Sequence, residues 1–184
     1  MISEIPTQAK ALIQVFPTHL QQKILFFYQD DELVFWDLEQ ELKTNPNSNE
    51  WNTILFNMQS FLDEDMIFVN NEQIFLDLVD ASIDFLSERS EPILKFDIKS
   101  TPFSLVSGIN RIELEGDPQI AEYPIFAEWK LPGKVVFVTS NSWFKKENRR
   151  INFKTKPGES IGGYETIEFF FEDKINSDFS ISQE

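Results

Sequence analysis

A chain of 184 residues with a formal net charge of −15 and no cysteine can bury a full core unaided, and it excludes disulfides, thiolate nucleophiles and cysteine-based zinc or iron–sulfur sites. The charge disfavours non-specific binding to nucleic acid or anionic lipid and favours either solubility or a basic partner. It is unevenly spread: residues 1–92 hold 17 acids against 4 bases, and residues 93–184 hold 14 against 12.

The first twenty residues lack a basic stretch followed by an apolar one, so no secretory signal is expected. No run approaches the ~18 apolar residues of a membrane span. The expected location is the cytoplasm. Ala9, Leu12, Ile13 and Phe16 recur at helical spacing, which predicts a helix from Pro6 to Phe16, with Pro6 at a favourable first position. Pro17 interrupts it, and Thr18 is a plausible N-cap. Leu20, Ile24, Phe27, Val34, Leu38 and Leu42 continue the stripe with a gap at Asp30-Asp31, predicting helices over 18–29 and 31–43. A competing reading makes Glu32 to Trp36 a strand. Asn45 to Asn49 is a loop. Trp51, Ile54, Leu55, Met58, Phe61 and Leu62 then mark an amphipathic helix, capped by Ser48 or Asn49 and ending at Asp63-Glu64-Asp65.

Met66 to Val69 reads as a short extended piece. Asn71 to Ser87 reads as a central helix, capped by Asn70 or Asn71 and barred from continuing by Pro92. Ile74, Phe75, Leu78, Val79, Phe85 and Leu86 fall on one of its faces. Asp77, Asp80 and Asp84 fall on the opposite face, with Glu88 one turn beyond.

After Pro92 the period becomes two. Strands are predicted around 94–98, 111–115, 125–129, 134–139, 150–156 and 165–172, with turns at Gly116-Asp117-Pro118, Pro132-Gly133, Pro157-Gly158 and Gly162-Gly163. Val135 to Val138 and Phe169 to Phe171 are apolar on both alternating faces, which predicts strands buried on both sides, covered from within the chain or by a partner. The tail from 176 to 184 is polar. The composite expectation is an α+β single domain over 1–184. Acidic N-terminal helices (1–92) pack on a mainly antiparallel C-terminal sheet of about five strands (93–175).

Motifs for chemistry are sparse. One histidine, His19, stands without a nucleophile elbow, and neither a phosphate-binding P-loop nor a dinucleotide fingerprint occurs. Asp30-Asp31-Glu32 and Asp63-Glu64-Asp65 are the candidates for a hard cation, but neither follows the EF-hand pattern. No cofactor is expected. The basic stretch Lys145 to Arg150, with Lys154, Lys156, Trp143, Phe144 and Phe153 around it, resembles a nucleic-acid surface on its own. The total charge argues against that role, and a loop facing solvent or the acidic half is the alternative. The leading expectation is a non-enzymatic acidic inhibitor, such as an immunity protein that neutralises a basic toxin nuclease. Its contact residues would be Asp77, Asp80, Asp84 and Glu88, with Asp63, Glu64 and Asp65 beside them. The alternatives are a carboxylate and divalent-metal enzyme, and a structural subunit of an oligomer.

Overall fold

The computed structural model describes residues 5–172. β1 (Gln8–Val15) and β2 (Leu20–Phe27) precede α1 (Val34–Leu42) and α2 (Asn49–Glu64). Then come β3 (Met66–Val69), β4 (Glu72–Ile74), β5 (Leu76–Phe85), β6 (Pro92–Ser100), β7 (Gly108–Glu115) and β8 (Gln119–Ile120). β9 (Ile125–Lys130), β10 (Lys134–Thr139), β11 (Trp143–Glu147), β12 (Arg150–Thr155), β13 (Ser160–Ile161) and β14 (Tyr164–Phe171) complete the described chain. A seven-stranded sheet has the order β11-β12-β9-β1-β2-β6-β5, a five-stranded sheet the order β10-β14-β7-β3-β4, and β13 pairs with β8. Pairing in the large sheet is antiparallel except where β1 runs parallel to β9. One core takes side chains from both larger sheets and both helices. Among the described residues no helix is long and apolar enough to cross a membrane.

This architecture is mostly β and overturns the expected α+β arrangement of N-terminal helices on a C-terminal sheet. The segments expected as helices over 6–16 and 18–29 are β1 and β2, which sit near the middle of the large sheet. On β1 the inward set is Ala9, Ala11, Ile13 and Val15, cross-strand from Phe26, Ile24, Gln22 and Leu20. That is a two-residue period. Leu12 faces outward and supplied the false helical step. α1 fills the later part of the expected 31–43 helix, and Glu32 to Trp36 is not a strand. α2 lies where the amphipathic pattern over 51–62 predicts it. Ser48 holds its N-cap position without making a side-chain capping bond.

The expected helix over 71–87 is instead β4, a corner at Phe75, and β5. Asn70 and Asn71 do not cap a helix. Both have positive φ (52° and 68°) and form the two-residue turn between β3 and β4, the backbone that a type I′ hairpin demands. Within β5 the register shifts between Leu78 and Asp80, so Val79 is an inserted residue. The inward set becomes Leu76, Leu78, Ala81, Ile83 and Phe85. The bulge turns a step of two into a step of three, which reads as helical in sequence. Phe75, Val79 and Leu86 are exposed rather than core.

After Pro92, β6, β7, β9, β10, β12 and β14 lie close to their expected positions, whereas β8, β11 and β13 were not expected. Burial of β10 and β14 on both sides is not found. Val135, Ile167 and Phe169 are buried, but Val136, Phe137 and Phe170 are exposed, because nothing within the described chain covers the outer face of the small sheet there. The expected polar tail, 176–184, lies outside the described residues.

A candidate ligand cavity between the sheets

Reading across the inner face of the large sheet at one level gives Phe144, Phe153, Ala127, Ala11, Ile24, Phe96 and Ala81. The neighbouring row runs Thr155, Ile125, Ala9, Phe26, Leu94 and Ile83. Three alanines, Ala9, Ala11 and Ala127, thus sit together on β1 and β9, with large side chains on either side. Small side chains in a well-packed layer leave space unless the facing layer fills it. Here it does not: Ala11 and Ala127 remain partly accessible although they face inward. The result is a cavity of ≈ 570 Å³ between the sheets, within the size range of small-molecule sites.

Its wall is mainly apolar. The large sheet contributes Ile24, Phe26, Phe96, Trp129 and Phe153, the small sheet Ile67 and Leu114, and α2 lays Ile54, Met58, Phe61 and Leu62 along it. These helix positions are spaced i, i+4, i+7 and i+8, one face of α2. Phe61 is 46 % exposed and stands at the mouth.

Two carboxyls stand near one another in the wall. Asp65, which ends α2, and Glu165, which faces inward from β14, both line the cavity. Asp65 is exposed and Glu165 half-buried. The Asp65 carboxylate rests against Gly116, where an added Cβ would come within 2.9 Å of Oδ1. Although the residue as a whole is exposed, partial burial of its carboxyl beside Gly116 raises the pKa of Asp65, with the Glu64 charge adding to it. Burial also raises that of Glu165; a hydrogen bond from the Ser140 hydroxyl opposes the rise, and the charge of Asp65 reinforces it. Tyr28 and Tyr123 line the same cavity. The Tyr28 hydroxyl is pushed far up by burial and by Tyr123, and that of Tyr123 by burial and Glu122. Perturbed titratable groups around an apolar cavity are a functional-site signature.

The sequence-predicted contact residues are brought together only in part. Asp77, Asp80 and Asp84 do share a face, but it is the outer face of a strand, and they share it because the bulge at Val79 restores Asp80 to the side of Asp77. They are interleaved with bases: Asp77 is cross-strand from Lys99, and Asp84 pairs with Lys95. Glu88 lies in the turn after β5, and Arg89 stacks 4.1 Å over Trp36. Asp63 accepts a bond from Gln59 at 2.8 Å and Glu64 closes α2. Of the seven, only Asp65 lines the cavity. Glu165, Tyr28, Tyr123 and the alanines were missed. The legible signal was the pair Ala9-x-Ala11 inside an otherwise bulky alternation.

The basic stretch is the β11–β12 hairpin, at the opposite edge of the large sheet from β5. It therefore does not meet the acidic strand. Its charges are used locally, Lys145 with Glu147 at 2.8 Å and Lys146 on the Val136 carbonyl at 2.9 Å. His19 stacks on Phe16 in the β1–β2 turn at 4.7 Å between centroids. Among the described residues no group of three or more histidine or carboxylate side chains is placed to hold a metal, so neither Asp30-Asp31-Glu32 nor Asp63-Glu64-Asp65 forms such a cluster. No protein-family model, no curated protein and no solved structure matches this chain.

Proposed function

We propose that the protein is a non-catalytic binding protein that takes an apolar small molecule between its two sheets. The observation that carries this reading is the ≈ 570 Å³ cavity held open by Ala9, Ala11 and Ala127. Burying a ligand there removes apolar surface from water on both partners, worth about 25 cal/mol per Å² before the costs of association. The test is titration with N-phenyl-1-naphthylamine, a neutral apolar dye, read by its own fluorescence and by that of Trp129 in the wall. Saturable binding is expected. Ala11→Leu and Ala127→Leu, which fill the space, are expected to abolish it while holding or raising the melting temperature. Dye binding that survives both substitutions overturns the reading.

A second reading keeps the acidic inhibitor and its basic partner, for instance a toxin nuclease in the cytoplasm. It is supported by the alignment of Asp77, Asp80 and Asp84 on one face of an edge strand. The lysines beside them weaken it, since partner and lysine would compete for the same carboxylates. Asp77→Asn with Asp80→Asn is expected to slow capture of a basic partner without altering the fold. Equal association rates for variant and native protein would remove this reading.

A further inference from the structure

We infer that the occupant of the cavity is an amphiphile with a primary ammonium head, its head at Asp65 and Glu165 and its hydrocarbon body along Ala11, Ala127 and Phe61. This rests on the carrier reading and adds the chemistry of the ligand. The wall is mainly hydrocarbon, and Asp65 and Glu165 stand close together in it. The Asp65 side chain makes no hydrogen bond or ion pair among the described residues. Glu165 receives only the Ser140 hydroxyl, and no described lysine or arginine forms an ion pair with it. Lys10 borders the cavity, but it lies between inward-facing Ala9 and Ala11, so alternation sends its ammonium to the outer face.

Two carboxyls of the cavity wall, Glu165 half-buried and close enough to Asp65 to feel its charge, are therefore without a cation of their own. An apolar carboxylate entering this cavity would add further negative charge beside these carboxyls. An alcohol would leave the carboxylates uncompensated. A primary ammonium supplies three donors and the missing charge, and charge-assisted bonds of this kind are about twice as strong as neutral ones.

The experiment is displacement of N-phenyl-1-naphthylamine by dodecylamine, dodecanol and dodecanoate, each below its micellar concentration and at constant ionic strength. Dodecylamine is expected to displace the dye at about tenfold lower concentration than dodecanol, with dodecanoate the weakest of the three. In the double variant Asp65→Asn, Glu165→Gln the amine-to-alcohol ratio is expected to fall to about twofold or less. In Ala11→Leu all three are expected to fail. That last arm separates the cavity from adsorption of a cation to the acidic surface, because amine binding that survives in Ala11→Leu overturns the proposal. So does an undiminished amine preference in the double variant, or dodecanoate equal to dodecylamine. If the dye and dodecanol bind but the amine has no advantage, the head-group assignment falls and the carrier reading stands. If neither dye nor any chain binds, both fall.

Discussion

Several single residues do structural work that their type alone does not announce. Asn110 is fully buried. Its amide donates to the carbonyls of Val106 and Gly108, and its oxygen accepts from the Val106 amide and from Asn70. One side chain thereby ties the loop before β7 to the Asn70-Asn71 turn. Gly133 has no room for a side chain, since an added Cβ would sit 2.0 Å from the Phe170 carbonyl oxygen. Glu165 makes a testable statement about acidity. Burial holds its pKa above the ordinary 4.5. Between those two values the folded chain keeps a proton that the unfolded chain has released. The contribution to stability is complete below the unfolded value and is lost as pH rises through the folded one. Glu165→Gln is therefore expected to gain stability relative to the native protein as pH rises above the ordinary carboxyl range. Melting temperatures of the two proteins, followed from about pH 4 to pH 8, should converge at the acid end and separate towards neutrality. Parallel curves would show that the carboxyl titrates alike in both states.

At the scale of elements, the link between α2 and β5 is chemical as well as steric. The Gln59 side chain accepts from the Leu78 amide at 2.9 Å and donates to the Leu76 carbonyl at 3.0 Å. β5 is an edge of the large sheet, and the amide of Gln59 occupies the position of a missing strand neighbour. An unpaired edge invites pairing with other chains. Gln59→Leu is expected to cost about 1–3 kcal/mol and to speed hydrogen exchange at the Leu78 amide. Gln59→Glu keeps the acceptor for that amide and should exchange more slowly than the leucine variant. Unaltered Leu78 protection in Gln59→Leu would remove this role. The same region shows why elements were unevenly legible. Where alternation was unbroken, as in Leu94, Phe96 and Ile98 on β6, sequence and structure agree. Where a bulge or an outward leucine broke it, at Val79 and Leu12, a strand imitated a helix. α2 was readable because its apolar stripe, Trp51 to Leu62, runs for about three turns, longer than any strand pattern here.

For the molecule as a whole, charge and composition carried no information about layers. The acidic first half is not a module: its strands β1, β2 and β5 share a sheet with β6, β9, β11 and β12 from the second half. Neither the sheet order nor the space between the sheets can be read along the chain. The cavity depends on Ala11 and Ala127, 116 positions apart, meeting on adjacent strands. Of the ionisable residues of the site only Asp65 stood out in the sequence, and it did so for its acidic neighbours rather than for the space beside it.

The parallel seam between β1 and β9 also governs how the molecule comes into being. Strands made early, Gln8 to Phe27, take the middle of a sheet whose flanking strands on one side are made after residue 124. A nascent chain emerging from the ribosome can close the β1–β2 hairpin and add β6 and β5, but the other flank stays bare until β9 and β12 arrive. Contacts of such long separation slow folding. Until they form, Ala11, Ile13 and the backbone edge of β1 face solvent, which makes the interval of synthesis the period when this protein is most exposed to aggregation.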